Sequence, residues 1–255
     1  MAQIEIDGQN ATVEQLRGAS VAHYGHFTAM QVRDRRVRGL DLHLARLDTA
    51  NHEVFGTGLD AAQLRHYVRH ALGETTRDAS VRISVFETPG GTATMVTVRP
   101  PGDMQPALWR LQTVPYQRSL AHIKHLGDFG QSYFGRLAHR NGFDEALLTG
   151  PGGVICEGSI TNIGFSDGDG LVWPSAPALA GITMQVLERT LPAYGLSSRH
   201  APVHTADLGS FTAVFVTNSH GIAPVGQIDD LILPVDSTLT KMLTEAYESS
   251  GWDPI

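Results

Sequence analysis

Lysine is scarce in this chain. Of its 19 lysines and arginines only two, Lys124 and Lys241, are lysines. Lys124 sits in Ser119-Leu120-Ala121-His122-Ile123-Lys124-His125-Leu126, flanked by apolar residues rather than by a charged surface. Arginine keeps its proton in a protein and cannot serve as an amine nucleophile. A lysine held among apolar neighbours is therefore a candidate for chemistry that needs a free amine. The leading case is a Schiff base with a carbonyl substrate or with pyridoxal phosphate. Taken alone, Lys124 fits equally a lysine at a strand end whose ammonium reaches solvent. Gly181-Ile182-Thr183 opens a helical stretch, so its backbone N–H groups would face an anion, while the Thr183 hydroxyl adds a donor or caps the helix. Thr217-Asn218-Ser219 offers a second hydroxyl and amide cluster after a strand. His122, His125 and His139 invite a metal reading. Zinc needs ligands that converge, however, and His122 and His125 on a strand-like segment would point to opposite faces. No metal is expected.

These groups need elements to position them. Gln3 to Ile6 alternates and meets the turn Asp7-Gly8, which predicts an N-terminal hairpin. Strands are expected at 26–33 and 37–40 around Asp34-Arg35-Arg36, and helices at 42–54 and 61–72 from the spacing of their apolar residues. Pro89-Gly90-Gly91 separates strands at 80–86 and 92–98. The segment Arg99-Pro100-Pro101-Gly102-Asp103 breaks both patterns and marks a boundary. Beyond it the pattern predicts a strand at 107–114, a helix at 129–141, and two hairpins (145–148 with 153–156, and 162–165 with 170–173). A helix at 182–191, a strand at 214–217 and a helix at 237–249 follow. This is an α+β protein with residues 1–99 as a small N-terminal lobe, 100–106 as a linker and 107–255 as a larger lobe.

The chain has 255 residues, a hydrophobic share of 42% and a net charge of −7. That is enough for a sizeable core, and with no basic stripe a nucleic acid partner is not expected. The single cysteine, Cys156, cannot form an internal disulfide, which favours a reducing compartment. The N-terminal residues lack a signal-peptide pattern, and no apolar run reaches a membrane span. A soluble, cytoplasmic protein without membrane contact is expected.

Four blocks line up in order: Ile123-Lys124-His125-Leu126; Gly142-Phe143-Asp144-Glu145-Ala146-Leu147-Leu148 followed by Glu157-Gly158-Ser159-Ile160-Thr161-Asn162; Leu179-Ala180-Gly181-Ile182-Thr183; and Phe215-Val216-Thr217-Asn218-Ser219. From about Tyr24 to Val225 the sequence closely resembles the class IV aminotransferases, fold-type IV pyridoxal phosphate enzymes. The group includes branched-chain and D-amino-acid aminotransferases, (R)-selective amine transaminases and 4-amino-4-deoxychorismate lyase. The resemblance implies a small α/β lobe followed by a larger α/β lobe, a homodimer, and pyridoxal 5'-phosphate bound to Lys124. It implies that Glu157 faces the pyridine nitrogen and that Leu179 packs on the ring. Arg46, in His43-Leu44-Ala45-Arg46-Leu47, would bind the phosphate together with Gly181, Ile182, Thr183 and one of Asn218 and Ser219. Thr161 and Asn162 would either tie the glutamate strand to neighbouring backbone or touch the cofactor's phenolic edge.

The chain also departs from that pattern. Many relatives have an aromatic-Glu pair where this chain has Phe27-Thr28, and Phe129 stands where branched-chain enzymes place a tyrosine. The Arg-Gly pair that D-amino-acid enzymes use for the substrate carboxylate is not evident after residues 80–86, though Arg82 lies within that strand. On the strand at 26–33, His26, Thr28 and Met30 share one face and Phe27, Ala29 and Gln31 the other; the resemblance implies that Phe27, Ala29 and Gln31 meet substrate. The expected reaction is amino transfer between an amino acid or amine and a keto acid. The alternative is the lyase, which releases pyruvate and 4-aminobenzoate; Phe27-Thr28 and Ile123-Lys124-His125-Leu126 resemble it.

Overall fold

Asp7 and Gly8 both have positive φ, 52° and 75°. That pairing suits a two-residue hairpin loop, and it joins β1 (Gln3–Ile6) to β2 (Gln9–Asn10). The computed structural model describes residues 3–105 and 107–255. Pro106, in the expected linker, and Met1 and Ala2 lie outside the described residues. The chain divides into two compact units: Met1–Gly102 with Ile123–Gly127 and Gly251–Ile255, and Asp103–His122 with Asp128–Ser250.

The first unit continues with α1 (Val13–Val21), β3 (Gly25–Val32), β4 (Arg36–Arg38), α2 (Leu40–Phe55), α3 (Ala61–Leu72), β5 (Ala79–Thr88) and β6 (Gly91–Arg99). Its sheet is antiparallel in the order β2-β1-β6-β5-β3. One face is apolar: Met30, Val81, Ile83 and Val96 pack with Leu44 and Leu47 of α2 and Leu64 and Val68 of α3. β3 is the edge strand of this sheet. An exposed edge offers unpaired backbone groups, and here residues 124–126 come back to it. The Phe27 N–H donates to the Lys124 carbonyl (2.8 Å) and the Leu126 N–H to the Gly25 carbonyl (2.9 Å). The expected strand through His122 and His125 is instead a loop with one bridge, His26 to His125. Likewise β4 takes its partner from the C-terminal strand Trp252–Pro254.

The second unit holds β7 (Trp109–Pro115), α4 (Phe129–Arg140), β8 (Glu145–Thr149), β9 (Ile155–Gly158), β10 (Asn162–Ser166), β11 (Leu171–Pro174), α5 (Ile182–Thr190), β12 (Ser198–Ala201), β13 (Ala213–Asn218), β14 (Gly221–Ile228), β15 (Leu231–Ile232) and α6 (Ser237–Ser249). They form one mixed sheet, ordered β12-β11-β10-β13-β14-β7-β8-β9, with β15 on β14. β7 runs parallel to β8, and α4 makes the crossover that a parallel pair requires. Every residue of β8, β9 and β10 is buried, as expected for strands covered on both faces. Leu111, Leu147, Ile155, Phe165 and Val216 fill one core. A second core joins Trp173 and Phe215 to Leu187 of α5 and Leu243 of α6. The mixture of helices and strands agrees with the α+β expectation. Among the described residues, no helix is long and apolar enough to cross a membrane.

Candidate active site

In the first unit, Lys124 is fixed by its backbone bond to β3, and its side chain lies against the ring that follows Gly25-His26. Lys124 Nζ is 5.0 Å from the Phe27 ring centroid. The Arg82 guanidinium stacks on the same ring, with Cζ 3.6 Å from the centroid. Alternation along β3 is clear: His26, Thr28 and Met30 are buried, whereas Phe27, Ala29 and Gln31 are partly open. Gln31 engages both ends of its carboxamide, donating to Ser80 Oγ (3.2 Å) and accepting from the Gly102 N–H (3.0 Å). Arg82 donates from Nε to Ser84 Oγ at 3.2 Å.

The buried face of β3 meets α2. Thr28 Oγ1 lies 2.7 Å from His43 Nδ1 and accepts a hydrogen bond from Arg46 Nη2. Burial, Arg46 and Lys124, in that order, hold His43 well below the ordinary histidine range. Burial also brings the Arg46 guanidinium down to about 10, so it remains charged at neutral pH. Its Nε is sealed from solvent and has no hydrogen-bond partner among the described residues. The other lysine differs in setting: Lys241 is exposed on α6, one turn from Glu245 (3.7 Å).

In the second unit, Glu157 is the third residue of β9 and is 4% exposed. Its Oε1 accepts from Arg118 Nη1 (3.0 Å) and its Oε2 from the Leu179 N–H (3.1 Å). Arg118 is equally buried and also donates to the Ala121 carbonyl (2.9 Å). Removing one partner of a buried pair generally costs about 3–5 kcal/mol, so this pair is a fixed part of the fold. Arg118 was not identifiable as a site residue from the sequence, because a lone arginine in a polar turn carries no periodic or motif signal.

A second buried carboxylate supports the turn beside Glu157. Glu145 accepts from the Ile160 N–H (2.6 Å), Thr161 Oγ1 (2.8 Å) and Ser159 Oγ (3.2 Å). Burial pushes it up to about 7 despite these donors. A Cβ on Gly158 would overlap Thr161 Oγ1 and crowd Glu145, so the glycine makes room for the carboxylate. Thr161 thus acts on Glu145. Asn162 donates to the Leu179 carbonyl (2.7 Å) and binds the loop before α5. Asn162 thus ties backbone, whereas the Thr161 hydroxyl bonds the Glu145 side chain. A Cβ on Gly181 would collide with Asn162, which explains the glycine there.

Gly181 is the N-cap of α5, so Thr183 is not the cap. The Thr183 hydroxyl donates to the Asn218 carbonyl (2.7 Å), which leaves the backbone N–H groups of Ile182 and Thr183 as the first-turn donors toward an anion. Asn218 Oδ1 accepts from the His220 N–H (2.8 Å) and shapes the turn that carries Ser219. Thr217, opposite Asn162 in the sheet, is fully buried with a hydroxyl that has no partner.

The residue types in each unit, taken by itself, are ones that pyridoxal phosphate can bind. The first unit supplies an amine and a guanidinium whose Nε has no protein partner. The second supplies a buried carboxylate, a helix start and a partnerless buried hydroxyl. An anionic aldehyde with a basic ring nitrogen calls for such a donor set.

The comparisons point the same way. The family model described as Amino-transferase class IV matches residues 25–228. A hypothetical aminotransferase from Mycobacterium tuberculosis, in its PLP-bound form, superposes with a TM-score of 0.84 at 20% identity, covering 98% of both chains. A branched-chain aminotransferase from the archaeon Thermoproteus uzoniensis, solved with norvaline, gives 0.85 at 19%, covering 96% of this chain and 93% of that one. A fold IV transaminase from Curtobacterium pusillum gives 0.84 at 21%, covering 98% and 100%. At these identities the likeness is one of fold. A search among curated proteins returned no match. With the family model spanning most of its length, Lys124 and Glu157 included, the chain belongs to the class IV aminotransferases, which are transaminases dependent on pyridoxal phosphate.

Proposed function

We propose that this transaminase moves an amino group from an amino acid or amine to a keto acid, with Lys124 as its catalytic amine. The family match over residues 25–228 carries the reaction class. When bound, pyridoxal phosphate supplies the electron sink for a carbanion beside nitrogen. Lys124 would hold it through its amine, and the same amine would take up and return the proton at the substrate carbon that bears nitrogen. Glu157 keeps a proton on the ring nitrogen, and Arg118 and the Leu179 N–H hold its two oxygens in place. The Leu179 side chain packs on the ring. Arg46, the N–H groups of Ile182 and Thr183, and one of Asn218 and Ser219 hold the phosphate. Gly181 lets Asn162 set the loop that carries Leu179, and Thr161 acts through Glu145. Phe27 and Ala29 line the substrate side of β3 beside Lys124, with Gln31 fixing the end of that strand. Arg82, stacked on Phe27, would receive a substrate carboxylate.

The lyase alternative draws on Phe27-Thr28 and the residues around Lys124. Thr28 is already engaged with His43 and Arg46, which removes much of its force. The enzyme loaded with cofactor, given an amino donor and no acceptor, should form one keto product per active site and stop. Turnover should resume on adding a keto acid. Continuous pyruvate release from aminodeoxychorismate without an acceptor would instead establish the lyase. The single cysteine supports a cytoplasmic protein, which we take to be a homodimer.

A further inference from the structure

We propose that Thr28 and His43 are positioning residues for Arg46, so that a threonine–histidine pair, and not the arginine alone, sets how tightly the phosphate is gripped. This rests on the assignment of Arg46 to the phosphate.

The argument follows from which groups can donate. A guanidinium only donates, so Thr28 Oγ1 accepts from Arg46 Nη2. A hydroxyl has one proton, and Thr28 Oγ1 has one other near neighbour, His43 Nδ1 at 2.7 Å. Buried with no other acceptor bonded to it, the Thr28 hydroxyl satisfies its own proton only by giving it to Nδ1, which accepts only when bare. His43 is then neutral, with its proton on Nε2. A proton on Nδ1 as well would put a third positive charge beside Arg46 and Lys124, and the surroundings of His43 oppose that.

The arrangement has a consequence for binding. His43 and Arg46 lie three residues apart on α2 and so share a face; Thr28 approaches from β3 and is 0% exposed. The hydroxyl fixes one edge of the guanidinium and adds no negative charge. Among the described residues no carboxylate pairs with Arg46, and its buried Nε has no partner. The full positive charge is thus aimed and kept for an external anion. A carboxylate at position 28 would hold the same edge but neutralise it.

The test uses the full-length apoprotein and two ligands that differ by one group: pyridoxal phosphate and pyridoxal. Thr28→Val keeps the side-chain shape and removes the relay. It should weaken pyridoxal phosphate binding about tenfold, the loss of one charge-assisted hydrogen bond, and leave pyridoxal within about twofold. Thr28→Ser should restore the wild-type ratio. If Thr28→Val does not fold, Thr28→Ala should give the same selective loss. Equal weakening of both ligands, or no weakening of either, overturns the proposal. Arg46→Met separates it from its premise. If Arg46→Met leaves the ratio of the two affinities unchanged, the phosphate assignment fails. If Arg46→Met collapses that ratio and Thr28→Val does not, the positioning role alone fails.

Discussion

Two buried titratable residues, Glu145 and His43, respond to pH in opposite directions. Glu145 is raised from 4.5 to about 7 in the fold, chiefly by burial. Between those values the folded chain keeps a proton that the unfolded chain has released. The stability it contributes is therefore complete below about 4.5 and is lost as pH rises toward about 7. His43 is lowered, so its contribution is present above its ordinary pKa of 6.5 and is lost as pH falls. Glu145→Gln isolates the first effect. Urea unfolding at several pH values should show the difference between wild type and variant shrinking by up to about 3 kcal/mol as pH rises through that window. A difference that does not change with pH would mean Glu145 is not held protonated. Such groups were only partly legible beforehand. Glu145 and His43 stood inside recognisable blocks, but their partners come from other elements. A hydrogen bond from β3 to α2 leaves no mark in the local pattern.

Elements with regular apolar spacing were legible to within a residue or two. α3 and α6 fall on their expected spans, and the hairpins at Pro89-Gly90-Gly91 and Asp7-Gly8 form as their turn residues demand. The misses have physical causes. α1 buries none of its residues, so its apolar pattern is weak, and its signal is the capping box between Thr12 and Gln15. β14 contains Gly221, Pro224 and Gly226, which read as breakers, yet it pairs with β13 on one side and β7 on the other. The strand Trp252–Pro254 and the Lys124 segment are held by partners far away in sequence. Tertiary pairing decides such segments, and propensity does not. For the candidate site, the order of the blocks pointed to Lys124, Glu157 and Gly181-Ile182-Thr183 as candidates. It could not find Arg118, nor show that Thr183 reaches back to Asn218.

At the scale of the whole molecule, each unit has its own core and each carries part of the proposed cofactor set: Lys124 and Arg46 in one, Glu157, Leu179 and the start of α5 in the other. The homodimer is proposed from the family. Sedimentation equilibrium should give twice the mass of one chain at micromolar concentration, and a monomer throughout would exclude it. The central claim is that one amine, at position 124, binds the cofactor covalently. Borohydride reduction of protein loaded with pyridoxal phosphate, followed by peptide mapping, tests it most directly. The predicted result is a phosphopyridoxyl group on Lys124 and none on Lys241. Label on Lys241, or none at all from fully loaded protein, would contradict the account.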